Sequence, residues 1–438
     1  MNITDLLAFI DASPSPWHVV ATVTERLKPL GFKVLTETSP WTLKPGGKYL
    51  LCRDGSVAAI IVGTEPFQQS GAKLIGAHTD SPGFRIKPKP LSLQDGYLRL
   101  AVEVYGGPTL ATFADRDLSL AGRVSYQQGS TIKNRMVRID QPLLRLANLP
   151  IHLNRGVNSE GLKFDLQNEL PLLFANSGEG VLENNRFIGW LAEQAGLDDE
   201  SIKAFELAVY DTQKGAVWGM NNEFYSNSQI DNLACCHAAL MALTETCDEA
   251  FQQTRVSILF DHEEIGSQTA EGADGRFFTD VMHAIAGDHI PENVRQGMAR
   301  SFLISADMAH AYQPNFPSYY ELDHKVIVNQ GPVIKSHAKR RYATDSLASA
   351  WFSHWCEQAG VPVQQYSHRG DIPCGSTIGP ISAAKLGIRT VDVGSPMWAM
   401  HSARESAGVL DHDYLTKAFT AFYRDNDFLT ALSAGNGS

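Results

Sequence analysis

The chain has 438 residues, 43% of them hydrophobic and 19% charged, with a formal net charge of −11. That length exceeds what one core usually organises, so two domains are expected, and the composition is that of a folded protein rather than a disordered one. The acidic balance argues against phosphate backbones and anionic lipid as partners, and no apolar run approaches the ~20 residues needed to cross a bilayer.

Met1 to Pro14 shows no basic segment followed by an apolar stretch, so no signal peptide is read there. Residues 2–30 read as helical, broken at Ser13-Pro14-Ser15-Pro16. Val57–Val62 and Lys73–Ala77 are apolar strand candidates. The texture changes over residues 91–229. Segments such as Leu98-Arg99-Leu100-Ala101-Val102-Glu103-Val104-Tyr105 alternate, and joints such as Gly106-Gly107-Pro108 are rich in turns, which predicts half-exposed antiparallel strands.

From residue 230 the pattern becomes strand then helix, repeatedly. Asp231 opens a helix over Asn232–Cys247, and Val256–Phe260 and Ser301–Ala306 read as buried strands. A helix is predicted over Thr344–Gln358, capped by Thr344 and stopped by Gly360. Strands at Val361–Tyr366 and Ile388–Val393 flank a helix over Gly379–Lys385 that stops at Gly387. Strands alternating with helices predict an α/β fold: a three-layer α/β/α domain with a mostly parallel sheet, from residues 1–90 and 230–438, interrupted by a β-rich insert over 91–229. The six cysteines (Cys52, Cys235, Cys236, Cys247, Cys356 and Cys374) form no CxxC pair and read as free thiols, so a cytoplasmic setting is expected.

In open parallel sheets, sites form beyond the carboxyl ends of strands. His78-Thr79-Asp80 follows one predicted strand, Asp261-His262-Glu263-Glu264 another, and Asp307 a third. His401 lies a short loop beyond Val393, and Asp231 opens a helix. Taken singly, a His or Asp at a strand end is more often a turn residue, and a Glu-Glu doublet a solvated loop. Five such segments at one sheet edge carry more weight. Two histidines and three carboxylates suffice for two zinc ions if one carboxylate bridges, and Mn or Co suits the same donors. A further carboxylate must then serve as the base, and the Glu263-Glu264 doublet can supply one base and one ligand. Asp80, two residues after His78, is placed to accept a hydrogen bond from the non-ligating nitrogen of that imidazole.

Other chemistries fail on the residues. His262-Glu263-Glu264-Ile265-Gly266 has Gly266 where HExxH needs its second histidine. No GxSxG elbow and no P-loop is present. Cys374 in Pro373-Cys374-Gly375-Ser376 fits a small buried apolar group better than a nucleophile.

These segments resemble the aspartyl aminopeptidases. The resemblance is carried by His78-Thr79-Asp80-Ser81-Pro82, Ser228-Gln229-Ile230-Asp231-Asn232, Asp261 to Ser267, Ser305 to His310, Gly331 to Lys335 and Met400 to Glu405. Tyr105-Gly106-Gly107, Asp115 to Leu118 and Ile151-His152-Leu153 in the insert match as well.

The resemblance implies one zinc on His78, Asp231 and Asp307 and a second on Asp231, Glu264 and His401, with Asp231 bridging and Glu263 as general acid/base. It implies a dimerisation role for the insert, a dodecamer built from dimers, and His152 reaching a neighbouring subunit's site to help bind the reacting carbonyl. It also implies peptide substrates with N-terminal Asp or Glu, for which Lys335 is the candidate partner of the side-chain carboxylate. One departure is Gln313, where the family often has a second histidine three positions after the one matching His310. Two alternatives stay open: a related dinuclear-metal aminopeptidase of broad or neutral specificity, and an inactive metal-bound assembly protein.

Overall fold

A computed structural model describes residues 3–177, 186–287 and 290–426. Nine strands form its largest sheet, in the spatial order Lys33–Leu35, Lys48–Arg53, Ser56–Ile61, Thr254–Phe260, Ala72–His78, Phe302–Ala306, Arg389–Gly394, Val333–Ser336 and Gln364–Ser367. The four middle strands, Thr254–Phe260 to Arg389–Gly394, run parallel. Every residue of Thr254–Phe260, Ala72–His78 and Phe302–Ala306 is buried, as parallel strands covered on both faces require. On one face Phe9, Val19, Leu240, Trp355 and Phe419, all from helices, share a core with Ile75 and Ile304 of the sheet. On the other, Phe278, Met298 and Ile378 pack with Leu74 and Ile258. The three-layer α/β/α arrangement expected from the strand–helix alternation is therefore present.

Six antiparallel strands form a second sheet, ordered Thr131–Arg138, Leu118–Gln128, Ile202–Asp211, Gly83–Gln94, Tyr97–Tyr105 and Leu172–Asn176. The predicted alternation is visible in Tyr97–Tyr105, where Leu98, Leu100 and Val102 are buried and their neighbours are not. The first strand of this sheet starts at Gly83, ahead of residue 91. Its pairing register shifts between Ile86 and Leu91, and Pro88 and Pro90 lie in that stretch, so periodicity does not reveal it.

Two local expectations are corrected. The helix over Ser346–Gln358 is capped by Asp345, whose side chain accepts from the N–H of Ala348, while Thr344 Oγ1 accepts from the N–H of Asp392. The strand predicted over Val361–Tyr366 runs over Gln364–Ser367, after Pro362, which has no N–H to give to a ladder.

A third sheet, missed in the sequence, joins Ala216–Trp218, Phe224–Asn227, Glu405–Gly408, Pro396–Trp398 and Ala309–His310. Strands this short leave little alternation to read. They matter because the turn between Pro396–Trp398 and Glu405–Gly408, which pair antiparallel, carries His401.

Candidate metal centre

His78 is the last residue of its strand and sits in register with Phe260 on the neighbouring one. Ala306 pairs with Val393 on the next strands, so Asp307 leaves the sheet at the same edge. Gly394 makes room for it, because a Cβ there would run into the Asp307 carbonyl. Asp231 precedes the regular part of its helix: its backbone (φ −80, ψ 107) is not helical, and the Asp231-Asn232 peptide is cis. His401 occupies the left-handed region at φ 67, uncommon for a residue with a side chain and typical of positions held by their surroundings.

These elements bring His78, Asp231, Glu264, Asp307 and His401 together. His78 Nε2 is 3.4 Å from Asp231 Oδ1 and 3.6 Å from Asp307 Oδ1. His401 Nε2 is 3.4 Å from Asp231 Oδ2 and 3.2 Å from Glu264 Oε1. Asp231 is thus shared, with one oxygen facing each imidazole. Two ligands bonded at about 2.0–2.1 Å to one tetrahedral zinc stand roughly 3.4 Å apart, the scale of these four separations. Asp231 Oδ1 is buried without a hydrogen-bond partner, an arrangement that a cation would satisfy. The donor set, all imidazole and carboxylate, fits zinc on those two triads.

The surroundings fix the orientation of these side chains. His401 Nδ1 lies 3.0 Å from the Gly107 carbonyl, and the N–H groups of Asp231 and His401 donate to Glu405 at 3.0 and 2.7 Å. His78 Nδ1 lies 3.0 Å from the backbone carbonyl of Asp80 and 3.5 Å from its Oδ1, so the main chain rather than the carboxylate makes the closer contact. The Asp80 carboxylate instead accepts from the N–H groups of Glu263 and Glu264, each at 3.1 Å, and from the Tyr105 hydroxyl at 2.8 Å. Gly106, at φ +66, passes the chain beside Glu264; a Cβ there would lie 3.2 Å from the glutamate's own.

Electrostatics mark the same place. Burial alone would lower the pKa of His401, but Asp231 and Glu264 outweigh it and hold it up at about 11. Burial likewise disfavours charged His78, yet Asp231, Asp307 and Asp80 keep it well above its ordinary value. Burial raises Glu264 to about 7 against the pull of His401, with Asp231 adding to the rise. Burial also lifts Glu263 well above the usual range, aided by Asp307 and Glu264 and opposed by His78. Carboxylates crowded at one buried edge, raised by burial and by one another, mark this place as the candidate functional site.

A family model described as Aminopeptidase I zinc metalloprotease (M18) matches residues 9–423. A "Probable M18 family aminopeptidase 2" of Ectopseudomonas mendocina is 43% identical over 428 residues, covering 96% of this chain and 97% of the relative. The chain belongs to the M18 aminopeptidase family. Among solved structures, a chain from the cryo-EM structure of the Ape4 and Nbr1 complex superposes with a TM-score of 0.94 at 36% identity, over 98% of this chain and 86% of that one. Yeast aminopeptidase 1 (Ape1) superposes at 0.86 with 27% identity, over 99% of both chains. As an M18 aminopeptidase, the protein is a zinc metalloprotease by family.

Two predicted residues of this M18 chain stand apart from the five. Lys335 is 2% exposed, with Nζ 3.3 Å from Asp307 Oδ2 and 3.0 Å from the Met308 carbonyl. His152 lies on the surface and is not among the clustered residues. Tyr105 and Glu405 received no role from the sequence, although both sit in segments singled out there; an isolated Tyr or Glu carries no spacing that reveals a supporting contact. A cavity of about 340 Å³ is lined by His310, Tyr366, His368, Trp398 and Met400 among others, the last preceding His401 in the chain.

Proposed function

We propose that this M18 aminopeptidase holds two divalent ions and removes N-terminal Asp or Glu from peptides. One observation carries the reading: the two oxygens of Asp231 each stand 3.4 Å from a different imidazole nitrogen. His78, Asp231 and Asp307 hold one ion, and Asp231, Glu264 and His401 the other. Zinc is the metal of the family; Mn or Co suits the same nitrogen and oxygen donors.

Ions held there would supply Lewis-acid chemistry: they would polarise a scissile carbonyl and make a water molecule more acidic. Glu263 would accept a proton from the attacking water and return it to the departing amine. Its position supports that role: a Glu263 carboxylate oxygen lies within 4.8 Å of ligating atoms of His78 and Glu264. Asp80 positions His78 and, through two N–H groups, the Glu263-Glu264 turn.

Lys335 is our candidate for the cation that meets the acidic side chain. Two of its three donors are engaged by Asp307 and Met308, so one remains. The same engagement favours a second reading, broad or neutral specificity. Kinetics on Asp-, Glu-, Leu- and Lys-anilides separate the two, and metal analysis of the purified protein gives the ion count. Fewer than two ions per chain at full activity would refute the dinuclear reading.

S. cerevisiae mApe1, 27% identical over 99% of this chain, is a dodecamer. We propose a similar assembly here, built from dimers through the insert over residues 91–229. Leu149, Ile151 and Leu153, at 59%, 47% and 73% exposure, support it as an apolar surface in need of cover. His152 lies within that segment and would reach a neighbouring subunit's centre. All six cysteines are free, which supports a cytoplasmic setting, and among the described residues no helix is long and apolar enough to cross a membrane.

A further inference from the structure

The loop that follows the strand Val333–Ser336 carries His337, Lys339, Arg340 and Arg341, a basic run in a chain of net charge −11. Arg340 is turned back onto the carbonyls of Ala343 and Thr344. Lys339 and Arg341 are exposed, and neither has an acidic partner among the described residues. His337 Nδ1 accepts from the N–H of Lys339 at 3.1 Å, which leaves its other nitrogen as a donor. His337, Lys339 and Arg341 line a groove of about 640 Å³ to which no Asp or Glu contributes.

A chain of contacts links the groove to the candidate metal centre. The ring of Tyr342 lies 5.4 Å from Lys335 Nζ on one side and 6.4 Å from the His337 ring on the other, and Lys335 contacts the ligand Asp307. The groove also shares Ser367, His368 and Ile372 with the cavity beside the ligands. An extended chain advances about 3.3–3.6 Å per residue, so no more than roughly three or four residues separate Lys335 from His337, at the near end of the basic run.

We propose that Lys339 and Arg341 bind the anionic downstream part of a peptide substrate: a carboxylate three or four residues beyond the scissile bond, from an acidic side chain or from the C-terminus of a short peptide. The proposal rests on the aminopeptidase reading of the centre. The acidic surface as a whole repels such a peptide, and this groove reverses the sign locally, next to where the bond is cut. Exposed ion pairs are individually weak and screened by salt, so the groove acts as a selector of peptides rather than as their anchor.

The test compares two peptides ending in amides, X-Ala-Ala-Asp-amide and X-Ala-Ala-Ala-amide, with an X-anilide that stops before the groove, X being the residue the enzyme cleaves fastest. At low salt we expect KM for the acidic peptide to be roughly three- to tenfold lower than for the neutral one. Lys339→Ser combined with Arg341→Ser removes that advantage and leaves X-anilide turnover within twofold. Equal KM values in the unaltered enzyme, or an advantage that survives in the double variant, overturn the proposal. An equal loss on all three substrates, with a changed size on gel filtration, reassigns the groove to subunit contact and also overturns it. If no X is released from any substrate, the aminopeptidase reading itself has failed.

Discussion

The Tyr105 hydroxyl donates to Asp80 Oδ2 at 2.8 Å, so a strand of the six-stranded sheet reaches into the centre built on the nine-stranded one. Asp80 in turn receives the N–H groups of Glu263 and Glu264. Asp80→Asn keeps the backbone carbonyl that faces His78 but weakens the charge-assisted contacts to that turn. A 10- to 100-fold loss of metal affinity or activity is the usual scale for such outer contacts, and Tyr105→Phe should cost less. Competition titrations with a chromogenic chelator measure both, and wild-type affinity in Asp80→Asn would refute the positioning role.

Glu263→Gln should retain both ions and lose roughly 10²–10⁴-fold in kcat, the range for removing a general base. Metal analysis beside steady-state kinetics distinguishes this from Glu264→Gln, which should release one ion. If Glu263→Gln turns over like the parent, the base lies elsewhere.

Because one carboxylate serves both imidazoles, Asp231→Ala should empty both sites together instead of one after the other. Stepwise dialysis against a chelator should abolish peptidase activity in the unaltered protein, and Zn²⁺, Mn²⁺ or Co²⁺ should restore it. Full activity in metal-free protein contradicts the reading outright.

Lys335→Leu removes a buried ammonium from beside Asp307. If that ammonium reads the substrate, kcat/KM on Asp-anilide should fall by tenfold or more while Leu-anilide is hydrolysed as well as before. Equal losses on both substrates would instead make Lys335 a support for Asp307.

Lys73 gives a pH signature independent of the centre. It is buried over the Phe422 ring, 5.9 Å away, and donates to the carbonyls of Tyr423 and Asp425. Burial lowers its pKa to about 7, from 10.5 in an unperturbed lysine. Between those values the unfolded chain binds the extra proton, so stability rises as pH increases from 7 towards 10.5. The linked change is on the order of a few kcal/mol. Thermal melts of Lys73→Met across this range should lose that slope, and an unchanged slope would show that another group carries it.

Much of the centre was legible because His78, Asp231 and Asp307 stand at an end of a regular element and Glu264 follows closely on one. Apolar runs such as Leu74 to Ala77 and Ile258 to Phe260 locate the strand ends, and parallel pairing then brings their exits to one edge. Asp80 was noticed for its spacing from His78, but spacing cannot tell a carboxylate contact from a carbonyl one. The third sheet escaped because its two- to four-residue strands leave no period to detect. The early start at Gly83 escaped because a register shift and two prolines hide the alternation.

The clustered side chains span the sequence from His78 to His401. A chain emerging from the ribosome must be nearly finished before its last imidazole exists. Until then the growing polypeptide lacks the imidazole that stands beside Asp231 and Glu264. On the proposed reading, a copy that ends before the His401 turn would hold only the His78 triad, so the dinuclear centre would be among the last features that synthesis completes.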